Sequence, residues 1–208
     1  ARTPMGGFQG VFDGVEAATL GGAAIRAALA DASADFELGS SGAGIGALTG
    51  SEKGGLGSAS LVLDSGKTVG ALIAANPVGG VTTPGGRHFW AAPFEIGDEF
   101  GGLGPDPRSG LGLDLVSNKL TSMLQHANTT IGIVVTNAKL TKADCHLAAQ
   151  SGHDGFARAL QPAHTSADGD ALVVAATGTA SVDQKAADPA HVRVLVQHAV
   201  VSAIRGLR

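Results

Sequence analysis

Ala127-Asn128-Thr129-Thr130-Ile131-Gly132-Ile133-Val134-Val135-Thr136-Asn137 is a polar triplet that runs straight into an apolar, β-branched segment. Ile131, Ile133 and Val135 alternate with Gly132, Val134 and Thr136, so both faces are largely apolar, the pattern of a strand buried within a sheet. Thr129 then stands at the mouth of a core strand, one residue after an asparagine. A threonine freed at a new chain end carries its own base, because an α-amino group has an unperturbed pKa of about 7.7–8. Such an amine suits proton abstraction at neutral pH, and a Thr hydroxyl beside its own terminal amine is an activated nucleophile. The chemistry requires a cut between Asn128 and Thr129. By itself the triplet reads more simply as a turn that opens a strand.

Working outward, Thr141-Lys142-Ala143-Asp144 predicts a helix start, with Thr141 as cap and Asp144 three residues on. Leu147, Phe156 and Leu160 form the apolar stripe of that helix, which runs to about 160. Ala171–Ala176 is a second buried strand. Val192, Leu195, Val196, Ala199, Val200, Ala203 and Ile204 recur at helical spacing. The C-terminal part is thus strand–helix–strand–helix, with helices packed on a sheet. Upstream, strands near 59–63 and 69–75 flank Asp64-Ser65-Gly66-Lys67, a polar link that predicts a hairpin. Helices are expected over 15–34 and 114–125. The stretch from Pro77 to about Gly112 is irregular and rich in proline, glycine, aromatic and acidic residues. Loops of that length are either functional or mobile.

The 208 residues suit one or two domains, and the absence of a composition break favours a single domain, 1–208. Hydrophobic residues make up 44% and charged residues 15%, which excludes a disordered chain. The net charge of −4, without a Lys/Arg cluster, argues against nucleic acid as a partner. A lone cysteine, Cys145, cannot form an internal disulfide and reads as a small buried residue. No signal-peptide core follows Ala1 and no run reaches membrane-spanning length, so the expectation is a soluble protein without membrane partners. Cytoplasm is the compartment favoured, with periplasm left open.

Asp168-Gly169-Asp170 precedes the strand at 171–176. Residues two apart in an extended segment project to one side, so the two carboxylates call for a cation or a shared proton. A new ammonium at Thr129 or the amine of Lys53 could serve; a solvated turn is the simpler reading. Asn76, before Pro77, closes a strand and could donate its amide to an oxyanion, or simply open a turn. The glycine loops lack dinucleotide and P-loop spacing. The seven histidines form no metal motif, so surface or packing roles are expected and no cofactor is called for.

Several separated motifs together resemble one family. They are Asn128-Thr129-Thr130-Ile131 with Val134-Val135-Thr136-Asn137; Gly155-Phe156-Ala157-Arg158 through Pro162-Ala163-His164-Thr165 to Asp168-Gly169-Asp170; Gly42-Ala43-Gly44 with Lys53-Gly54-Gly55-Leu56-Gly57; and Asn76-Pro77-Val78-Gly79. Taken in order from about residue 11, they are similar to the DmpA-type self-cleaving aminopeptidases and amidases. That family includes L-aminopeptidase/D-esterases, β-peptidyl aminopeptidases and nylon-oligomer hydrolases. The resemblance implies an α+β fold, an αββα four-layer sandwich whose N-terminal part would be missing here together with its pocket tyrosine. It implies self-cleavage into 1–128 (α-subunit part) and 129–208 (β-subunit), which remain associated and assemble into homo-oligomers. By position, Thr129 would be the nucleophile and Asn128 the last α-subunit residue. Asn76 would stabilise the oxyanion, and Lys53, Asp168 and Asp170 would orient the terminal amine. The implied substrate is a small peptide or amide. The implied alternatives are an endo-amidase on 6-aminohexanoate oligomers, a catalytically impaired remnant serving as subunit or scaffold, and acyl transfer to an amine.

Overall fold

The computed structural model describes residues 36–50, 52–109, 128–180 and 188–205, with isolated positions between 22 and 30. Among the described residues four strands form one mixed sheet in the order β1 (Gly55–Val62), β2 (Thr68–Ala75), β3 (Ile131–Thr136) and β4 (Ala171–Ala176). β1 and β2 are the hairpin foreseen around Asp64–Lys67, with Val62 opposite Thr68, and β1 begins four residues earlier than the pattern suggested. β2 pairs antiparallel with β3, and β3 parallel with β4. A parallel pair needs a crossover, and α1 (Lys142–Ala159) supplies it.

α1 starts where its cap says it should. Thr141 Oγ1 accepts from the Asp144 amide and Asp144 Oδ2 accepts from the Thr141 amide, a reciprocal capping box. α2 (Pro189–Arg205) starts behind Asp188, whose carboxylate accepts from the Ala190 amide, with Pro189 at the first helical position. α2 lies on β1 and β2, α1 lies on β4, and the helices pack on each other. Close approach is allowed because α1 presents small residues: a Cβ on Gly155 would sit 2.8 Å from both the Gln197 carbonyl oxygen and Val200 Cβ. The core is Val69, Ala71 and Ile73 on β2, Val134 on β3, Phe156 on α1, and Val192, Val196, Ala199 and Val200 on α2.

Three expectations change. Leu147 is exposed, whereas Phe156 and Leu160 are buried as expected, and α1 also buries Ala148, Gly152, Gly155 and Ala159. Cys145 is half-buried rather than buried. The open face of β3 is not covered by the described residues: Ile131, Ile133 and Val135 are 47, 42 and 41% exposed, and Val173 beside them 60%. One sheet with helices on one face is an α+β arrangement and amounts to two of the four layers of an αββα sandwich. Of the helix expected over 15–34, Gly22, Ala23, Arg26, Ala27 and Ala30 are described and helical, while the one expected over 114–125 lies outside the described residues.

The segment 77–109 has an ordered conformation built on local hydrogen bonds. Thr82 bridges to Phe89, Glu95 accepts the Phe100 and Gly102 amides, and Asp106 accepts the Thr83 hydroxyl. Ser202 on α2 donates to Glu99, and Arg158 on α1 lies 4.7 Å over the Phe94 ring. The segment therefore folds back onto the helix layer. Among the described residues no helix is long and apolar enough to cross a membrane.

Candidate active site

The Asn128–Thr129 peptide lies at the entrance of β3, held from both sides. The Thr129 amide donates to the Asn76 carbonyl at 3.0 Å, two residues beyond the last β2–β3 pair, Ala74–Ile131. On the other side the Gly169 amide donates to the Asn128 carbonyl at 3.0 Å, and the Ala171 amide to the Thr130 carbonyl at 2.9 Å. Burial alternates along this segment. Asn128, Thr130, Val134 and Thr136 are buried, whereas Ile131, Ile133 and Val135 are exposed. Thr129 shares the phase of the exposed set and is half-buried. Its hydroxyl donates to the carbonyl oxygen of Asn128 at 2.6 Å. That oxygen therefore receives two donors, the Thr129 hydroxyl and the Gly169 amide.

Residue 169 must be small here. A Cβ at Gly169 would lie 2.7 Å from Thr129 Oγ1. The Asp-Gly-Asp sequence thus sets two carboxylates on one phase of the strand and an open space, filled by the threonine, on the other.

The carboxylates have separate partners. Asp168 Oδ1 accepts from the Val78 amide at 2.9 Å, and Oδ2 accepts from the Thr165 amide and hydroxyl at 3.0 and 2.6 Å. Asp168 therefore ties the exit of β2 to the entrance of β4. Asp170 is buried, its side chain 4% exposed, with Oδ1 accepting the Thr130 amide at 2.9 Å and Oδ2 2.8 Å from His164 Nδ1. The last contact is ionic in length but off the hydrogen-bond line, so Asp170 Oδ2 has no well-directed donor. Asn128 Oδ1 and Thr130 Oγ1 are likewise buried without a hydrogen-bond partner among the described residues.

Asn76 is buried, and its Oδ1 accepts from the Leu48 amide at 3.0 Å. That bond fixes the amide's orientation, because the backbone N–H needs an acceptor, and turns the Nδ2 donor the other way. Lys53 bridges to Leu48 through its backbone, in the turn whose Leu48 amide holds Asn76. Its side chain is exposed and makes no ion pair with the described residues. The side chain set against Asp170 is His164, half-exposed, which the histidine pattern had left as a surface or packing residue. Nearby, burial, with a smaller contribution from His164, holds the His153 imidazole below its ordinary pKa. The available signal for His164 was its place, directly before Thr165 and a few residues ahead of Asp168-Gly169-Asp170. Among the described residues no three His, Cys, Asp or Glu side chains are grouped to hold a metal ion.

Comparisons with known proteins agree with this geometry at the level of fold and family. The chain is 40% identical over 156 residues to a protein of Mycobacterium leprae named as an uncharacterized aminopeptidase, covering 75% of this chain and 41% of that one. A shorter stretch of 61 residues is 34% identical to a 6-aminohexanoate-oligomer endohydrolase of a Kocuria species, covering 29% of this chain and 17% of that one. The fold superposes on the L-aminopeptidase D-Ala-esterase/amidase of Ochrobactrum anthropi, described as a variant of the Ntn hydrolase fold. The TM-score is 0.57 at 22% identity, covering 89% of this chain and 48% of that one. The chain spans about half the length, or less, of the relatives it matches. Residues 6–205 match the profile of one family along nearly their whole length, and on that ground, together with the shared fold, the chain belongs to peptidase family S58.

Proposed function

We propose that the chain is an N-terminal-nucleophile amide hydrolase, an aminopeptidase or amidase, activated by a cut between Asn128 and Thr129. The single 1–208 domain would become 1–128 and 129–208. The observation that carries this reading is the 2.6 Å contact of Thr129 Oγ1 with the carbonyl oxygen of Asn128, within a family S58 chain.

In the cut, Thr129 Oγ bonds to the Asn128 carbonyl carbon, the C–N bond breaks, and the Thr129 nitrogen gains the hydroxyl proton. Water then opens the ester, leaving an Asn128 carboxylate and a Thr129 with free amine and free hydroxyl. The Gly169 amide, 3.0 Å from the carbonyl oxygen, supplies a donor to the oxyanion of this step. In turnover the freed amine takes the Thr129 proton as Oγ attacks a substrate amide. The amine product leaves with a proton, and water hydrolyses the acyl-enzyme. Asn76 Nδ2 is the donor for that oxyanion. Asp168 and Asp170 orient the new amine, Asp170 through its buried, undirected Oδ2, and Lys53 assists from the turn beside Asn76. The substrate is a small peptide or amide.

Intact mass under denaturing conditions tests the reading. The parent should give two species, the smaller beginning at Thr129, and Thr129→Ala one uncut species without amidase activity. A Thr129→Ala chain that hydrolyses peptide substrates at the parent rate overturns it.

The Kocuria relative favours a second reading, an endo-amidase acting on 6-aminohexanoate oligomers. Activity on such oligomers but none on aminoacyl amides selects it. The open apolar face of β3 and β4 is where the second sheet of an αββα sandwich would pack, and we propose that further family sequence or another subunit of a homo-oligomer covers it. An uncut, inactive chain that binds a partner there would instead be a scaffold subunit.

A further inference from the structure

We propose that His164 is a positioning residue that fixes Asp170 and, through it, the peptide at the Asn128–Thr129 junction; its catalytic meaning rests on the function proposed above. The chain of contacts is short. His164 Nδ1 lies 2.8 Å from Asp170 Oδ2, and Asp170 Oδ1 accepts the Thr130 amide at 2.9 Å. Thr130 is the residue directly after the proposed nucleophile.

The backbone at 164 is arranged for this contact. His164 has φ 56°, the one positive φ of a non-glycine residue among those described. Histidine, with Asn and Asp, is among the non-glycine residues that adopt this uncommon conformation most readily. The ring stands 4.9 Å from that of His153 and 5.9 Å from that of Phe156 on α1. Its Nε2 is 3.3 Å from the His153 carbonyl oxygen. Both ring nitrogens therefore face oxygen atoms, Nδ1 that of Asp170 and Nε2 that of the His153 backbone. The next residue, Thr165, binds Asp168 through its amide and hydroxyl. Consecutive residues thus serve the two carboxylates separately, and the left-handed turn at His164 is what lets the pair face both. Burial makes the arrangement consequential: the Asp170 side chain is 4% exposed, so solvent does not replace a lost partner.

Two isosteric substitutions separate this role from packing. Asn and Asp both tolerate the left-handed conformation, and both place a δ atom where His164 has Nδ1. His164→Asn keeps a donor toward Asp170, whereas His164→Asp sets a like charge against it. His164→Gly, which accepts the backbone freely and removes the ring, serves if the Asp variant does not fold. Hydrogen exchange of the Thr130 amide in the full 208-residue chain is the first readout, because it reports on the Asp170 bond whether or not the chain is cut. His164→Asn should exchange as the parent does, and His164→Asp or His164→Gly about tenfold faster. The cut, followed by intact mass, should keep its parent rate in His164→Asn and slow about 10- to 100-fold in the other two. Equal Thr130 exchange in the Asn, Asp and Gly variants overturns the proposal. A parent that stays uncut while Thr130 exchange responds as stated overturns the proposed function and leaves the positioning role supported.

Discussion

Gly169 and Thr129 face each other across the extended β3–β4 register so closely that the threonine hydroxyl fills the space a side chain at 169 would need. A Cβ there would lie 2.7 Å from Thr129 Oγ1, and the Gly169 amide donates to the carbonyl that this hydroxyl also contacts. One residue thus sets both the position of the candidate nucleophile and the polarisation of the bond beside it.

Gly169→Ala should therefore displace the hydroxyl while leaving the β4 amide in place. A displacement of about 1 Å can cost on the order of 100-fold in rate, so conversion at Asn128–Thr129 should slow by about that factor. Time-resolved intact mass checks this, and an unchanged conversion rate would show that the close approach has no bearing on the cut.

Asn76→Asp separates two functions of one side chain. The aspartate keeps an oxygen to accept the Leu48 amide but lacks the Nδ2 donor. Loss of an oxyanion donor costs about 10²–10³ in kcat, so turnover should fall by that factor in the folded variant. Asn76→Ala, which strands the Leu48 amide, should also lower stability by about 1–3 kcal/mol. Parent turnover in folded Asn76→Asp would assign Asn76 to structure alone.

His153 makes stability depend on pH in a defined direction. Burial, then the neighbouring His164, lower its pKa from 6.5, against smaller opposing effects of Asp170 and Asp154. The unfolded chain then binds a proton more readily than the folded one below about pH 6.5, so stability rises with pH through this range and falls as the medium is acidified. Denaturant melts between pH 5 and 7.5 should show the rise, and His153→Gln should flatten it. A His153→Gln profile parallel to that of the parent would place the dependence elsewhere.

Local chemistry made much of the fold legible. The β-branched run at Ile131–Val135, the Ala171–Ala176 run and the Thr141/Asp144 cap all became the elements they predicted. The face of α1 was misread at Leu147 because size is a poor guide where helices touch closely: Gly155 lies against Val200, and there the smallest residues are the buried ones. β3 read as covered on both faces because its outward residues are as apolar as its inward ones, yet Ile131, Ile133 and Val135 stay open among the described residues. The partners of the carboxylates divide in the same way. Thr165, three residues before Asp168, is a local contact of a familiar turn type. His164 reaching Asp170 depends on a left-handed residue and a ring wedged against α1, neither of which leaves a spacing signal. Lys53 is exposed in the turn opposite Leu48, a placement that charge alone did not reveal.

The strand order has a further meaning for a chain parted at Asn128–Thr129. β1 and β2 would belong to one product, and β3, α1, β4 and α2 to the other, so the division falls along the centre of the sheet. Six residue pairs from Val69–Thr136 to Ala74–Ile131 would bridge the two products, and α2 would still cover the hairpin of the first. Among the described residues neither product keeps a complete interior of its own. Dilution should not separate them, and their dissociation and their unfolding become a single event.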